Sequence, residues 1–347
     1  MTFGLIKAIL LPKVIFHFQG DQLVVLLSRS AALLVCVLFW VSAVAAQSGW
    51  RMLPSVATGD LVAVYFTSAE RGWVAGDDGY LASTDDGGRS WRPYPLGTDE
   101  SINEIYFRND DNGYLVAGKK MFLTKDAGRS WQETKLFNNG DFRNLTPEFI
   151  SIRFSDKKRG LVIGSLLNRK DEVVEALVMR TGDGGETWSR VAVPTKRELF
   201  HLDFNGSSHG WIVGDGGLIL ATQDGGLTWR TQNSGVTRAL FNIDFRDDET
   251  GYAVGGGGTI IRTVDGGTTW RKVSTPYAET LKRIGFSDDK NGWIVGHKGI
   301  ILRTIDGGQS WTRQDSAAKD NLYGLFMSKR YGCAVGAKGL IATYQKN

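Results

Sequence analysis

Six aspartates occupy the same place in a repeated motif, Thr-x-Asp-x-Gly-x-(Ser/Thr)-Trp, and in other settings such carboxylates bind metals or transfer protons. They are Asp86, Asp126, Asp183, Asp224, Asp265 and Asp306. No copy of this Asp motif gathers carboxylates at the density that a calcium site needs. We therefore expect each aspartate to have a structural role and to accept hydrogen bonds from backbone N–H groups across a tight turn.

The other residues with catalytic side chains form no recognisable catalytic set. His201 and His209 have no serine, aspartate or cysteine partner at a spacing typical of a triad. The glycines at 255–258 stand between two predicted strands rather than before a helix, so they do not predict a phosphate loop. Cys333 replaces an aromatic or leucine residue of the other repeats, which indicates a core position. The sequence predicts no catalytic residue, no metal and no cofactor.

A period of about 40 residues organises most of the chain. The tryptophans that end the six motifs stand at positions 91, 131, 188, 229, 270 and 311, so the steps are 40, 57, 41, 41 and 41 residues. Repeats of this length that are built from short strands are typical of β-propellers. The sequence therefore predicts an all-β fold with one four-stranded blade in each repeat.

Trp50 supplies the segment that completes the ring. It lies 41 residues before Trp91 and is followed by arginine, like the tryptophans of several motifs. The last repeat stops near Thr343, before an outer strand could form. We expect the strand near Trp50 to close that blade, because closure removes an open sheet edge. This arrangement gives seven blades.

One repeat shows the expected order of strands. Residues 281–287 predict the inner strand, 292–296 the second, 300–305 the third and 310–314 the outer strand, with glycine and Asn/Asp turns between them. These short segments leave no room for helices. The Asp motif joins the third and outer strands, so we expect it at the rim, away from the mouth that the other loops form.

The chain divides into a leader at residues 1–46 and a propeller domain at residues 48–347. Residues 31–46 are uncharged and apolar, follow Arg29 and end in small residues, which predicts an export signal cleaved near residue 46. Val35 is too large for lipoprotein cleavage before Cys36. We expect a periplasmic or thylakoid-lumen-like protein. The alternative is an uncleaved anchor, although residues 31–46 are fewer than the roughly 20 that span a bilayer.

Charge and cysteine content exclude two classes of protein, namely nucleic-acid-binding proteins and proteins stabilised by internal disulfides. The chain has 41 Lys and Arg against 37 Asp and Glu, a formal net charge of +4, with no basic cluster typical of nucleic-acid binding. Of its two cysteines, Cys36 lies in the predicted signal, so the mature chain keeps only Cys333 and forms no intramolecular disulfide. We expect a monomer that binds protein rather than nucleic acid.

Aligned inner strands contain apolar columns, which predict core, and two columns of variable residues between them. Glu104, His201 and Arg283 stand in one variable column, and Arg153 stands in the next. Polar residues on innermost strands face the axial channel of a propeller. A water-filled channel would satisfy them without any function. Our hypothesis is that these four residues line a polar pocket for part of a partner protein.

The third repeat is longer than the rest, and its excess falls at residues 138–148 and 165–175. Both segments join the same pair of strand ends, so we expect them on the mouth side as long loops. Long loops on a rigid scaffold often carry recognition, although neutral drift explains them nearly as well. The candidate contact residues are Asn138, Asp141, Arg143, Arg169 and Lys170.

The phrase Gly-Trp-x-Val-Gly-x-x-Gly-x-Ile, followed by Arg-Thr-x-Asp-Gly-Gly-x-(Ser/Thr)-Trp, resembles the photosystem II stability/assembly factor family. Residues 251–270 and 292–311 show the resemblance best, and it covers essentially all of residues 48–347. It implies an exported, seven-bladed, non-enzymatic protein that holds a new membrane subunit during assembly. Relatives of this type also occur in bacteria without photosynthesis, where we expect another client. The long leader, the missing lipidation cysteine and the enlarged third blade depart from the family pattern.

A sugar-handling protein is the alternative, because the Asp box of BNR repeats is shared with sialidases and other secreted propellers. The resemblance to sialidases is incomplete, since no Arg-Ile-Pro segment is present. A glycosidase also needs two opposed carboxylates, which spacing alone does not locate. We therefore expect a protein-binding propeller whose partner is a membrane protein subunit or an assembly intermediate, with a glycan-binding or glycan-hydrolysing propeller as the second hypothesis.

Overall fold

The computed structural model describes residues 49–138 and 140–345. They form seven four-stranded antiparallel sheets, which are the blades of a ring. Strand β1 (Trp50–Leu53) comes first in the chain. Blade 1 contains β2 (Leu61–Phe66), β3 (Gly72–Gly76), β4 (Leu81–Thr84) and β5 (Arg92–Pro93). Blade 2 contains β6 (Ile102–Phe107), β7 (Gly113–Ala117), β8 (Lys120–Thr124) and β9 (Gln132–Thr134).

The next three blades repeat this order. Blade 3 contains β10 (Thr146–Phe154), β11 (Gly160–Leu167), β12 (Val173–Thr181) and β13 (Ser189–Arg190). Blade 4 contains β14 (Leu199–Asn205), β15 (His209–Gly214), β16 (Ile219–Thr222) and β17 (Arg230–Gln232). Blade 5 contains β18 (Leu240–Phe245), β19 (Thr250–Gly255), β20 (Ile260–Val264) and β21 (Arg271–Lys272).

The last two blades complete the ring. Blade 6 contains β22 (Leu281–Phe286), β23 (Gly292–Gly296), β24 (Ile301–Thr304) and β25 (Thr312–Arg313). Blade 7 contains β26 (Leu322–Met327), β27 (Tyr331–Gly336) and β28 (Leu340–Gln345), with β1 as its outer strand. Trp50 lies opposite Tyr344 in the pairing of β1 with β28. The predicted seven blades and the predicted closure by the strand at Trp50 are confirmed.

Apolar side chains between neighbouring blades form the core. Trp73 of blade 1 stacks on Phe107 of blade 2 with ring centroids 4.5 Å apart, and both side chains are buried. Phe107 in turn lies against Gly113, where an added Cβ would come within 2.6 Å of the ring. Glycine at the start of the second strand therefore makes room for the aromatic residue that ends the first.

Two ends of the strands define two faces of the ring. The turn of the Asp motif in blade 1 lies beside the turn between β2 and β3, because Gly87 N–H donates to Glu70 C=O over 2.8 Å. We call this side the motif face. The turn between β3 and β4 lies beside the segment that enters β2, because Asp77 N–H donates to Asp60 C=O over 3.0 Å. We call this side the mouth face.

In the described part of the chain, five single 3₁₀ turns interrupt the all-β pattern on the mouth face. They are Asp77–Gly79, Asp215–Gly217, Gly256–Gly258, His297–Gly299 and Ala337–Gly339. The sequence did not predict them, because each is one residue triplet between two strands. The run of glycines at 255–258 does join two strands, β19 and β20, as predicted.

Part of the excess of blade 3 is strand, so the prediction of two long loops is wrong in part. β11 continues to Leu167 and β12 begins at Val173, and Ser165 pairs with Ala176. Thr146 at the start of β10 lies opposite Leu167. The extension forms because Leu166 and Leu177 are buried in the core of blade 3, beside Phe149. A three-stranded projection therefore replaces much of the expected loop.

The expected leader and its signal segment lie outside the described residues. No helix among residues 49–138 and 140–345 is long and apolar enough to span a membrane.

Candidate functional site: the axial channel

A repeated β-bulge shapes the axial channel. In every inner strand the pairing with the second strand skips one residue near the start. The skipped residues are Val62, Asn103, Ile150, Phe200, Phe241, Lys282 and Tyr323. A bulge allows two consecutive side chains to turn to the same side. Lys282 and Arg283, for example, both line the pocket at the mouth end of the channel.

Towards the motif face, the channel contains a polar cavity of about 260 Å³. Its lining includes all four residues predicted for a polar pocket: Glu104, Arg153, His201 and Arg283. Asp203 and Asp244, which stand in the same sequence column as Arg153, also line it. The structure therefore brings the predicted residues together and adds two carboxylates to which the sequence analysis gave no role.

Glu104 is the centre of a buried polar cluster. Its Oε1 lies 2.7 Å from Nη1 of Arg153, and its Oε2 accepts the N–H of Ile152 over 2.9 Å. Arg153 also donates through Nη2 to Nε2 of His201 over 3.0 Å, and its guanidinium lies over the ring of Tyr106. Glu104 and His201 are each 5% exposed. This cluster joins blades 2, 3 and 4 around the channel.

Burial and neighbouring charges set the protonation states of the side chains in this cluster. Burial alone would raise the pKa of Glu104, but Arg153, His201 and Arg283 hold that pKa well below its ordinary value. Burial lowers the pKa of His201 to about 4, and the positive charge of Arg153 acts in the same direction. Glu104 and Arg153 are therefore ionised near neutral pH, whereas His201 is neutral and can accept the hydrogen bond from Arg153.

Asp203 and Asp244 form a second pair in the same cavity, and both side chains are half-buried. Burial raises the pKa of both carboxyls, and the nearby charge of Asp203 raises the pKa of Asp244 further. Asp203 Oδ2 accepts the N–H of Phe245 over 2.8 Å, which favours ionisation of Asp203 over that of Asp244. The pair therefore keeps a proton at higher pH than ordinary aspartates do.

The mouth end of the channel is a second pocket of about 320 Å³. Phe200 and Phe241 pack with ring centroids 5.2 Å apart, and Nζ of Lys282 lies 3.8 Å from the centroid of Phe241. Burial lowers the pKa of Lys282 to about 8, with Arg283 acting in the same direction. Aromatic rings beside a cation can hold an apolar side chain and an anionic group together.

Sequence reasoning missed this pocket because the bulge hides it. Strict alternation of a strand places the column of Phe200, Phe241 and Lys282 beside core residues rather than in a channel. The available signal was chemical variety, because the column holds aromatic, aliphatic, amide and cationic residues in different repeats. Only the extra residue of the bulge gives this column access to the axis in addition to the column of Arg283.

The five candidates from blade 3 do not line either channel pocket. Asn138 N–H donates to Asp141 Oδ2 over 2.7 Å, and Arg143 has a positive φ of 55° in the same segment. Arg169 and Lys170 lie in the short turn between β11 and β12. The segment that contains Asn138 and Arg143 is anchored to blade 3, because Phe142 within it and Leu136 just before it are buried in the core of that blade. The structure places all five candidates on the mouth face but gives them no contact with Glu104 or Arg153.

The six motif aspartates lie in their own turns on the motif face, away from the channel cavity. In blade 6, Asp306 Oδ1 accepts the Thr304 hydroxyl over 2.7 Å and the Ser310 N–H over 3.0 Å, and Oδ2 accepts the Ser310 hydroxyl. The Thr304 hydroxyl also accepts Gly308 N–H over 2.8 Å. The other copies, Asp86, Asp126, Asp183, Asp224 and Asp265, repeat the bonds to both hydroxyls. In the described part of the chain, no three His, Cys, Asp or Glu residues gather as a metal site.

A family model described as photosynthesis system II assembly factor YCF48 matches the chain in overlapping segments: residues 42–138, 89–197, 180–239, 228–324 and 268–342. Together these segments span nearly all of the propeller. No curated protein matches the chain.

Solved structures share the fold. A YCF48 bound to a D1 peptide is 22% identical, with a TM-score of 0.71 over 87% of this chain and 96% of that one. YCF48 from Cyanidioschyzon merolae is 18% identical, with a TM-score of 0.68 over 86% and 98% of the two chains. A GH74 xyloglucanase from Xanthomonas campestris is 15% identical, with a TM-score of 0.64 over 85% of this chain and 53% of that one. At these identities the likeness concerns the fold alone.

Proposed function

The chain belongs to the photosynthesis system II assembly factor YCF48 family, and from this we propose that it is a non-enzymatic propeller that binds a membrane protein subunit or an assembly intermediate. The observation that carries the proposal is the family match, which extends from residue 42 to residue 342. A structural neighbour bound to a D1 peptide supports a protein client. In an organism without photosystem II, the proposed client is another membrane protein.

The axial channel and its mouth are the proposed contact surface. The mouth pocket offers the rings of Phe200 and Phe241 beside the ammonium group of Lys282, and Arg283 stands between this pocket and the inner cavity. An apolar side chain next to a carboxylate fits such a lining. Glu104, Arg153 and His201 bind one another, so they shape the cavity more than they contact a client.

We also propose an exported monomer. The support is the sequence of residues 31–46, which is typical of a signal segment. Closure of blade 7 by β1 supports a monomeric ring, because no blade needs a strand from a second chain.

The test is crosslinking in intact cells from the two faces of the ring. A photo-reactive amino acid replaces Tyr323 on the mouth face, and in a matched chain it replaces Leu227, an exposed residue on the motif face. Mass spectrometry then identifies products in the membrane fraction. We expect one membrane protein or its assembly intermediates to be crosslinked from Tyr323 and not from Leu227. No product, or equal products from both positions, contradicts the proposal.

The second candidate function is glycan binding or hydrolysis, and the pair Asp203 and Asp244 is the observation that favours it. A carboxyl that stays protonated near neutral pH is one requirement of a glycosidase, and a GH74 xyloglucanase is among the structural neighbours. The cavity of about 260 Å³ lies below the usual range of ligand sites. Assay of the purified chain on xyloglucan and sialosides, with Asp244→Asn as the control, decides between the two functions.

A further inference from the structure

Among the described residues, blade 3 has an open strand edge, whereas the third strand of every other blade pairs with an outer strand from its first or second residue. In blade 1, β4 begins at Leu81, and the C=O of that residue already accepts Tyr94 N–H from the outer segment over 2.7 Å. In blade 6, β24 begins at Ile301, whose C=O accepts Gln314 N–H over 2.8 Å. The third strands of these blades therefore have an outer neighbour from their first residue.

Strand β12 of blade 3 begins well before its outer neighbour. The equivalent bond joins Val191 N–H to Val178 C=O over 2.9 Å, yet β12 starts at Val173. β13 pairs only with Met179 and Arg180. Within residues 49–138 and 140–345, no strand lies outside positions 173–176 of β12. We call this stretch the blade-3 edge.

The blade-3 edge presents backbone groups that another strand can pair with. Because the C=O of Val178 points outwards and alternate residues of a strand point the same way, the N–H and C=O of Ala176 also point outwards. The edge is not shielded at its start, since Val173 and Val174 are 38% and 37% exposed. Natural sheets usually cover or charge such an edge. Here two exposed valines begin it, and the charge of Glu175, which follows them, is paired with Arg190.

A groove of about 630 Å³ adjoins the second half of this edge, at Glu175 and Ala176. After its bond to Val178, the chain diverges from β12, and residues 191–196 form the outer wall of the groove, opposite Glu175 and Ala176. Val191 and Val193 pack partly on the core beneath it. The gap therefore lies where a longer outer strand would have continued.

We propose that the blade-3 edge binds an extended peptide segment of the client, which adds to β12 as a fourth strand beyond the end of β13. This mode of recognition takes its affinity from backbone hydrogen bonds and its specificity from alternate side chains. Lys196 lies near Glu175, which Arg190 binds over 2.6 Å, so the groove has one cation more than it has carboxylates. The segment that fits is apolar with an acidic residue, and the inference deepens the proposed function by giving the form in which the client is held.

The groove admits a peptide rather than the edge of a second copy. Its outer wall at residues 191–196 stands where the next strand of a partner sheet would lie. The groove is open to a single added strand, whereas this wall obstructs a second blade. If the purified chain sediments as a dimer that Val174→Lys dissociates, a second copy is the occupant and the proposal is wrong.

The experiment uses a displayed library of random decapeptides as the probe. The purified chain selects peptides, and a synthetic selected peptide is titrated by fluorescence anisotropy. We expect Val174→Lys to weaken binding about tenfold or more, because a charged side chain at the edge disfavours strand addition. Ile305→Lys is the matched control, since Ile305 is an exposed apolar residue of the motif face, and it leaves the affinity unchanged.

A second measurement does not depend on a variant. Hydrogen exchange of the wild-type chain, with and without the selected peptide, reports protection of single amides. We expect protection at Ala176 and its neighbours, and loss of binding when alternate peptide nitrogens are methylated. Failure to select any peptide, or protection elsewhere only, overturns the proposal. A membrane protein that still crosslinks in cells from Tyr323 in the Val174→Lys chain overturns this inference and leaves the proposed function intact.

Discussion

The carboxylate of Glu104 lies 2.7 Å from the guanidinium of Arg153, across the boundary between blades 2 and 3. The same carboxylate accepts the backbone N–H of Ile152 in blade 3. One buried side chain of blade 2 therefore satisfies both a charge and a backbone donor of its neighbour. This arrangement holds the two blades in one position at the channel wall.

Glu104→Gln is expected to destabilise the propeller by about 3–5 kcal/mol, because it leaves the half-buried guanidinium of Arg153 without the buried carboxylate that it binds. The measurement is the midpoint of guanidinium unfolding. The control is Asp320→Asn, which removes the exposed partner of Lys338 at 3.2 Å and is expected to cost less than about 1 kcal/mol. Equal effects of the two variants contradict a special role for the buried pair.

The pair Asp203 and Asp244 makes stability fall as pH rises. The folded pKa of each is raised above 3.8, so folding favours the protonated form. This contribution is fully present below about pH 4 and is lost as the pH rises through the folded values. His201, whose pKa is lowered to about 4, has the opposite slope between that value and 6.5.

Comparison with Asp244→Asn isolates the effect of the pair, because His201 is common to both chains. We expect the difference in unfolding free energy between Asp244→Asn and wild type to grow in favour of the variant from about pH 5 to about pH 7.5. Chemical denaturation at each pH measures it. A difference that is constant with pH would falsify the assignment of a retained proton to the pair.

The number and closure of the blades could be predicted from the sequence because Trp50 and the six motif tryptophans keep one period. Burial of the inner-strand columns could be predicted as well: Leu281 and Leu322, for example, are both fully buried. These features depend on local spacing and on the alternation of a strand. They need no knowledge of neighbouring blades.

The mouth pocket and the blade-3 edge could not be predicted in the same way. Lys282 reaches the channel because a bulge adds one residue to the inner strand, and the sequence contains no marker of the bulge except variety in that column. Ser165 and Ala176 pair in strands where loops were expected, because Leu166 and Leu177 find buried positions that only the folded blade provides. A bulge decided the first case, and tertiary burial decided the second.

Thr304→Val is expected to destabilise blade 6 by about 1–3 kcal/mol, because the buried N–H of Gly308 loses its acceptor. The hydroxyl also donates to Asp306, which explains why all six motifs begin with a residue that carries a hydroxyl. Thr304→Ser keeps the hydroxyl and is expected to be close to wild type. Thermal unfolding compares the three chains, and a serine variant as unstable as the valine variant would show that the methyl group matters instead.

Trp50→Ala is expected to cost about 3–5 kcal/mol and to open the ring. Trp50 is 9% exposed and packs against Tyr344 with ring centroids 5.6 Å apart, in the contact that joins the two ends of the propeller. Trp311→Ala removes the equivalent buried residue of blade 6 without touching the closure. Calorimetry and sedimentation distinguish the two: only Trp50→Ala is expected to self-associate, through the exposed edge of β28.

Arg283→Gln tests whether the channel contacts the client. Arg283 lines both pockets, whereas Arg153 is committed to Glu104, so substitution of Arg153 would confuse binding with folding. We expect Arg283→Gln to fold normally and to reduce crosslinking of the client from Tyr323 by about tenfold, because an anionic group of the client loses its cation. The matched control is Lys272→Gln, which changes an exposed cation of β21. Equal crosslinking by both variants would place the client outside the channel, on another part of the mouth face.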